Sequence, residues 1–416
     1  MRGAAMPSTL FRNLRLFDGT TPHLIEGAEV LVEGGAIAEV SDRPIRHDGA
    51  HVVDLGGRTL MPGLIDAHYH AYAADANIGR LDLMPRSLMA LHARRFLEAS
   101  LSRGFTTIRD VGGADFGLAV ACESGLIDGP RLLYCGRALS PTGGHGDSRP
   151  NAWLEQFCGC CAPALSIGVI ADGVDEVRRA IRAELKRGAH AIKIMASGGV
   201  ASPSDPIWTL QYSDEEIATA VWETRAWRTY VVAHAYTPEA ITRAVSLGVR
   251  SIEHANLIDE PTARLMAERG AFAVPTLVTY DALDKDGPAL GLPKESQEKL
   301  KVVRAAGLRS LEILKAAGVR MGFGTDLLAE MHRRQSDEFV IRREVLTAAE
   351  ILAQATSGNA ALLNRAGELG TVARGAVADL IVVDGDPLRD IGVLTGQGER
   401  IPLVMLAGAI RRNRLH

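Results

Sequence analysis

The sequence lacks the features that mark several special classes of protein. Its 416 residues include only 5 cysteines, which is too few for a dense disulfide framework and leaves at least one thiol unpaired. The 46 Lys and Arg residues do not outnumber the 50 Asp and Glu residues, so no basic surplus exists to neutralise nucleic-acid phosphates. No apolar run is long enough to cross a bilayer, and no apolar signal segment stands at the N-terminus. We therefore expect a cytoplasmic protein without nucleic-acid or membrane partners.

Both ends of the chain have the pattern of β-structure, whereas the middle alternates between strands and helices. Leu10–Phe17 near the start and Gly375–Val383 near the end are strand-like runs followed by turn residues. Between residues 63 and 370, amphipathic stretches alternate with short apolar runs such as Phe105–Asp110. The amphipathic stretches predict helices that include Arg86–Arg103, Asp214–Ala226, Lys299–Ala317 and Ala348–Leu363. We predict an α/β fold, with a (β/α)8 TIM barrel over residues 63–370 and a small β-sandwich built from residues 1–62 and 371–416.

The alternation of strands and helices fits a barrel and a doubly wound sheet equally well. The positions of polar residues at the strand ends distinguish the two folds. Catalytic side chains in a barrel come from the C-terminal ends of different strands. His68 and His70 are two residues apart on one strand, so both rings point the same way. Any one of these residues alone has an ordinary structural explanation. Chance does not readily bring six metal-binding side chains to five strand ends: His68, His70, Lys193, His234, His254 and Asp326.

This set of side chains suits two divalent metal ions, with Zn²⁺ the first choice. Four imidazoles and a carboxylate are ligands that zinc prefers, but six positions exceed the needs of one tetrahedral ion. Lys193 lies in an apolar strand, where a buried ammonium group is costly. Carbamylation by CO₂ would turn its amine into an anion able to bridge two ions. Asp326 could then take a proton from a metal-activated water and deliver it to a leaving group.

The sequence resembles the amidohydrolase superfamily over nearly its whole length. The resemblance rests on Pro62–His70, on Lys193, on the two later histidines, on Gly324-Thr325-Asp326 and on the returning β segment near the C-terminus. Within the superfamily, the chain is most similar to the imidazolonepropionase-related group of metal-dependent Xaa-Pro dipeptidases, carboxypeptidases and ochratoxin-hydrolysing amidases. Thr142–Asp147 and Lys193–Pro203 are among the segments that carry this closer similarity.

The resemblance implies a role for each candidate residue. It implies that His68, His70 and Asp326 bind one metal, that His234 and His254 bind the other, and that carbamylated Lys193 bridges them. It also implies that His145 and Tyr236 face the substrate, where they polarise the scissile carbonyl or hold a carboxylate. We further consider Ser197, Gly198 and His332 as substrate residues, and Arg333 and Arg334 as partners of a substrate carboxylate.

These observations predict a metal-dependent hydrolase that cleaves the amide bond of a dipeptide or N-acyl amino acid with a free carboxylate. Two alternatives remain open: a cyclic-amide hydrolase or deaminase of the imidazolonepropionase type, and a non-catalytic assembly scaffold. We expect a small-molecule substrate and a homo-oligomer. Cys158, Cys160 and Cys161 crowd one segment without a neighbouring histidine, and their role stays an open question.

Overall fold

A computed structural model describes residues 8–149, 166–202 and 205–415 of the chain. None of the helices in these ranges is long and apolar enough to cross a membrane. The three crowded cysteines, Cys158, Cys160 and Cys161, lie outside the described residues. The other two, Cys122 and Cys135, are buried free thiols.

The two ends of the chain meet in one sheet of eight strands. Thr59–Pro62 pairs antiparallel with Leu380–Val383, and this ladder joins the N-terminal strands to the C-terminal ones. Alternating apolar side chains from both ends pack into a common core on this sheet. The prediction of a separate β-domain formed by both termini is confirmed. Its strands are Thr9–Leu16, Ile25–Glu33, Ala36–Ser41, His51–Asp54, Thr59–Pro62, Leu380–Val383, Leu403–Leu406 and Ala409–Asn413.

Eight parallel strands form the barrel between these ends. Their ladders comprise a three-stranded group and a longer group. The two groups are joined by a hydrogen bond from His190 N to Tyr134 O at 2.8 Å and by one from Ala67 N to Phe323 O at 2.8 Å. The predicted TIM barrel is therefore confirmed. Its strands are Leu64–Tyr69, Phe105–Asp110, Arg131–Tyr134, Ile192–Met195, Val231–Ala235, Ser251–His254, Phe272–Val274 and Arg320–Met321, and the short strands Ala138–Ser140 and Gly168–Ile170 extend one end of the longer group.

Helices surround the barrel, and several of them begin at a residue whose side chain caps the first turn. Ser213 and Glu216 form a reciprocal capping box before one helix, and Thr237 and Asp259 cap the next two. The α-helices are Arg86–Ser102, Phe116–Glu123, Gly173–Lys186, Asp214–Ala226, Pro238–Ser246, Glu260–Arg269, Leu277–Lys285, Lys294–Ala316, Asp337–Arg342, Ala348–Ala353 and Asn359–Leu362. Short 3₁₀-helices lie at Ile78–Leu83, Ala329–Arg334 and Ile391–Leu394, and a π-helical turn lies at Gln354–Gly358.

Candidate metal centre

The C-terminal ends of the barrel strands bring all six predicted metal-binding side chains to one cavity. The imidazole rings lie side by side across it. The ring centroids of His68 and His70 are 5.3 Å apart, those of His68 and His254 are 4.9 Å apart, and those of His234 and His254 are 4.6 Å apart. The cavity is therefore lined by nitrogen donors contributed by separate strands.

Asp326 places its carboxylate among these rings. Its Oδ1 lies 3.3 Å from Nε2 of His68 and 3.1 Å from Nε2 of His70, and its Oδ2 lies 3.9 Å from Nδ1 of His254. One ligand atom each from His68, His70 and Asp326 fall within 4.8 Å of one another. This spacing is compatible with a single metal ion held by these three side chains.

His68 is fixed from behind by a buried charged network. Its Nδ1 lies 2.6 Å from Oε2 of Glu253, so Nε2 is left to face the cavity. Glu253 in turn accepts hydrogen bonds from Arg109 at 2.9 and 3.0 Å, and both of these side chains are fully buried. The Arg109 guanidinium and the bonded His68 ring overcome the cost of burial and hold the pKa of Glu253 well below its usual range. A carboxylate in this position orients a metal-binding histidine and makes it more basic.

The other three rings are also anchored through one nitrogen, which leaves the second nitrogen for a metal. Their partners are backbone carbonyls in two cases and a threonine hydroxyl in the third. Nδ1 of His70 donates to the Gly112 carbonyl at 3.0 Å, Nε2 of His234 donates to the Gly198 carbonyl at 3.2 Å, and Nδ1 of His254 bonds Oγ1 of Thr276 at 2.8 Å. Such anchoring selects the tautomer that ligates a metal.

Lys193 lies buried on its strand, with only 2% of its surface exposed, and reaches the same cavity. Burial lowers the pKa of its amine against the opposing influence of Glu253 and Asp326. Burial, together with neighbouring positive charges, also lowers the pKa of His234 and of His254 well below its usual value. Neutral imidazoles bind metals, and a neutral amine is the form that reacts with CO₂, so this donor set fits a dinuclear centre with a carbamylated lysine.

Two of the predicted ligands have left-handed backbone conformations. The φ angle is +74° at His254 and +53° at Asp326, in a region that residues other than glycine seldom adopt. At Asp326, a hydrogen bond from its backbone N–H to the His68 carbonyl at 2.8 Å holds this conformation. Strained backbone of this kind clusters at functional sites, where the surrounding fold enforces it.

Two further predicted residues line the same cavity beside His234. The ring of His145 stacks on that of His234, with centroids 4.3 Å apart and an interplanar angle of 19°. The ring of Tyr236 lies 4.9 Å from that of His234, and its hydroxyl accepts a hydrogen bond from the Tyr280 hydroxyl at 3.0 Å. Tyr280 also lines the cavity, and no motif in the sequence marks it.

Ser197 and Gly198 hold the cavity wall rather than presenting side-chain chemistry to it. The Ser197 hydroxyl accepts from the backbone N–H of Tyr236 at 3.2 Å and donates to the Gly198 carbonyl at 2.9 Å. That same carbonyl accepts the hydrogen bond from His234. The bare backbone at Gly198 approaches a neighbouring segment so closely that a Cβ there would lie 1.9 Å from the Pro206 carbonyl oxygen.

His332 and the two arginines that follow it are placed away from the cavity. His332 is buried, and its ring packs 4.5 Å from that of Tyr69 and 4.4 Å from that of Phe96. Tyr69 points to the opposite face of its strand from His68 and His70, so a residue packed on it lies behind the metal centre. Arg333 and Arg334 both pair with Asp286, at 2.8 and 2.7 Å.

Comparison with known proteins shows the family of this chain. The sequence model of the amidohydrolase family matches residues 59–410. The chain belongs to the amidohydrolase family. It is therefore a hydrolase that acts on amide bonds, in a family that generally depends on metal ions. The resemblance inferred from the sequence is confirmed, and membership of a hydrolase family speaks against the non-catalytic scaffold.

Individual relatives show which members of the family this chain is similar to. Ochratoxinase from Aspergillus niger is 35% identical over 385 residues, which span 89% of this chain and 78% of that protein. A solved amidohydrolase structure is 54% identical with a TM-score of 0.97, and the match covers 98% of this chain and all of that one. A prolidase solved with N-methylphosphonate-L-proline is 50% identical with a TM-score of 0.96, at the same coverage of both chains.

Proposed function

We propose that this protein is a dinuclear metal-dependent hydrolase that cleaves the amide bond of a dipeptide or N-acyl amino acid with a free carboxylate. The observation that carries the proposal is the cavity itself. Four histidine rings, one carboxylate and a buried lysine converge there, and each ring is anchored through the nitrogen it does not offer to a metal. His68, His70 and Asp326 would hold one ion and His234 and His254 the other, with carbamylated Lys193 between them.

The chemistry divides between the ions and the side chains of this chain. Two divalent ions, such as Zn²⁺, would when bound supply an acidified water and polarise the scissile carbonyl. Asp326 would accept the proton of the attacking water and return it to the departing amine. Its carboxylate is suited to this because it lies at the strand end beside the histidine rings, with part of its side chain accessible from the cavity.

His145 and Tyr236 would bind the substrate beside the metal centre. Both line the cavity, and both present a hydrogen-bonding group on side chains whose rings pack against other aromatic rings. The Tyr236 hydroxyl receives a hydrogen bond from Tyr280 and so keeps its own proton available for the carbonyl oxygen or for a substrate carboxylate. Donors fixed in this way stabilise developing negative charge without reorganising during the reaction.

The remaining wall of the cavity favours an apolar group next to the scissile amide. Among the described lining residues, Asp326 is the only acidic one and none is an arginine. Prolidase and ochratoxinase relatives support a substrate of Xaa-Pro or ochratoxin type. The apolar wall is formed by Ile78, Ile167, Met195, Val200, Leu283 and Leu328.

A cyclic-amide hydrolase or deaminase of the imidazolonepropionase type is the remaining alternative. A centre that holds a single metal ion would need no bridging lysine. The buried Lys193 at the cavity therefore favours the dinuclear amide hydrolase.

A substrate screen tests the proposal. Zinc-loaded protein would be assayed on Xaa-Pro dipeptides, N-acyl amino acids and ochratoxin A, and on the carboxyl amide of each hit. We expect kcat/KM to fall at least about tenfold on the carboxyl amides, because a lost hydrogen bond to a charged carboxylate is worth at least about 1.5 kcal/mol.

The Asp326→Asn variant serves as the control against a contaminating peptidase and should be inactive. Equal kcat/KM on acids and amides would refute carboxylate recognition. Hydrolysis of cyclic amides alone would favour the alternative.

A further inference from the structure

His145 stands on a glycine-containing loop, yet its ring has a fixed position. Its backbone N–H donates to Oε1 of Gln211 at 2.9 Å, and its Nδ1 lies 3.1 Å from Oδ2 of Asp205. Gln211 also donates from Nε2 to the same Asp205 oxygen at 3.3 Å. Both the backbone and the ring of His145 are thus tied to one small network.

Asp205 is the centre of this network and is buried, with 2% of its surface exposed. Besides His145 and Gln211, its Oδ2 accepts the backbone N–H of Gly199 at 2.9 Å. A carboxylate that accepts several hydrogen bonds at once is oriented by them, and it in turn orients the ring that it contacts. With Nδ1 of His145 engaged by Asp205, Nε2 is the nitrogen left for a ligand.

Lys299 fixes the loop that carries this carboxylate. It lies on the helix Lys294–Ala316, and its Nζ donates to the carbonyls of Gly199 at 3.0 Å and Ser202 at 2.7 Å. It also donates to the Asp205 carbonyl and lies 3.7 Å from Oδ1 of that residue. The loop is thereby attached to a helix outside the barrel.

Gly199 allows the ring to lie against the backbone. A Cβ at this position would lie 2.3 Å from Cε1 and 2.5 Å from Nε2 of His145. Contacts this short do not occur, so any larger residue would push the imidazole out of its stack on His234.

We infer that Asp205 is a positioning residue for amide hydrolysis, which holds His145 between the Gly199 backbone and the substrate. The inference rests on the proposed substrate-side role of His145. Asp205 does not itself line the cavity among the described residues, so its contribution passes through the histidine ring. Loss of Asp205 should therefore reproduce the kinetic defect that follows loss of His145.

A double-mutant cycle tests this. The variants Asp205→Ala, His145→Ala and the double variant would be assayed on the fastest substrate from the library of Xaa-Pro dipeptides and N-acyl amino acids. We expect Asp205→Ala to change the same parameter, kcat or KM, as His145→Ala, by about 100-fold, since misplacement by about 1 Å has an effect of that size. In the His145→Ala background, the same change should alter that parameter by less than about twofold.

A matched control separates positioning from general loss of stability. Asp379 is also buried and pairs with Arg131 at 2.9 Å, and it is not among the described residues of the cavity. Asp379→Ala should lower the melting temperature but keep kcat and KM within about twofold of the unmodified protein.

A crystal structure of Asp205→Ala supplies a readout that does not depend on activity, and it should show the His145 ring displaced from His234. A ring that stays in place, or an equal kinetic loss in both backgrounds, would overturn the inference while leaving the proposed function intact. Full activity of His145→Ala would instead refute the substrate-side role of that residue, and the inference with it.

Discussion

Glu253 shows how much a single residue behind the cavity contributes to the fold. It is completely buried, and its carboxylate joins His68 to Arg109. Removing one member of such a network leaves the partner's charge buried without compensation. Removing a member of this network should therefore lower the free energy of unfolding more than removing a member of a surface ion pair.

We expect Glu253→Ala to lower the free energy of unfolding by about 3–5 kcal/mol, measured by chemical denaturation of metal-free protein. The matched control is Glu98→Ala, which removes an exposed i, i+4 pair with Arg94 and should cost less than about 1 kcal/mol. If the two substitutions cost the same, the buried network does not stabilise the fold as described.

At this scale, the sequence predicts side chains that lie on strand ends but not the residues that hold them. His68, His70 and Asp326 can be predicted because each is a metal-binding residue type at the end of a recognisable strand, and all three line the cavity. Glu253 lies 185 residues from His68, so only the closed barrel brings the two together. His332 illustrates the converse, because nearness to Asp326 in sequence did not place it on the same face.

Among the elements, the last helical segment of the barrel departs most from its prediction. The pattern predicts one helix over Ala348–Leu363, but a π-helical turn at Gln354–Gly358 interrupts it. The turn precedes Asn359, which is fully buried beside the first and last barrel strands. Its Nδ2 donates to the carbonyls of Ile65 at 2.7 Å and Phe323 at 2.8 Å, and its Oδ1 accepts from Phe323 N at 3.1 Å.

Asn359 thus helps to close the barrel, and its loss should be costly. We expect Asn359→Ala to lower the free energy of unfolding by about 3 kcal/mol or more, since it leaves several buried backbone groups without a partner. The comparison is Asn364→Ala, which lies on the same segment but is exposed and should cost only about 1–2 kcal/mol, because its left-handed backbone (φ +59°) disfavours Ala. Thermal or chemical denaturation of both variants would measure the difference, and equal stabilities would contradict this role of Asn359.

Element boundaries follow local sequence only where capping residues specify them. The predicted helix Asp214–Ala226 has the bounds that the structure shows, because a capping box begins it. The sequence pattern does not predict the helix Leu277–Lys285, because six of its nine residues are buried and it shows no clear polar face. The helix Lys294–Ala316 begins five residues before its predicted start, directly after Pro293.

At the scale of the whole molecule, the barrel and the terminal sheet follow from the order of elements along the chain. Strands at both ends with strand–helix repeats between them leave few arrangements for a parallel sheet.

The homo-oligomer stays a prediction. The exposed Trp222 and Trp227, at 63% and 57% of their surface, are apolar groups on the surface of the described chain.

The metal content of the purified protein is the sharpest test of the proposed dinuclear centre. Elemental analysis of purified protein should find two divalent ions per chain, and chelation should abolish amide hydrolysis until Zn²⁺ is restored. Lys193→Ala should lose at least one ion together with activity, whereas Lys301→Ala, which removes an exposed lysine paired with Glu298, should keep both. Full amide hydrolysis by metal-free protein, or two ions and full activity in Lys193→Ala, would rule out a dinuclear centre bridged by Lys193.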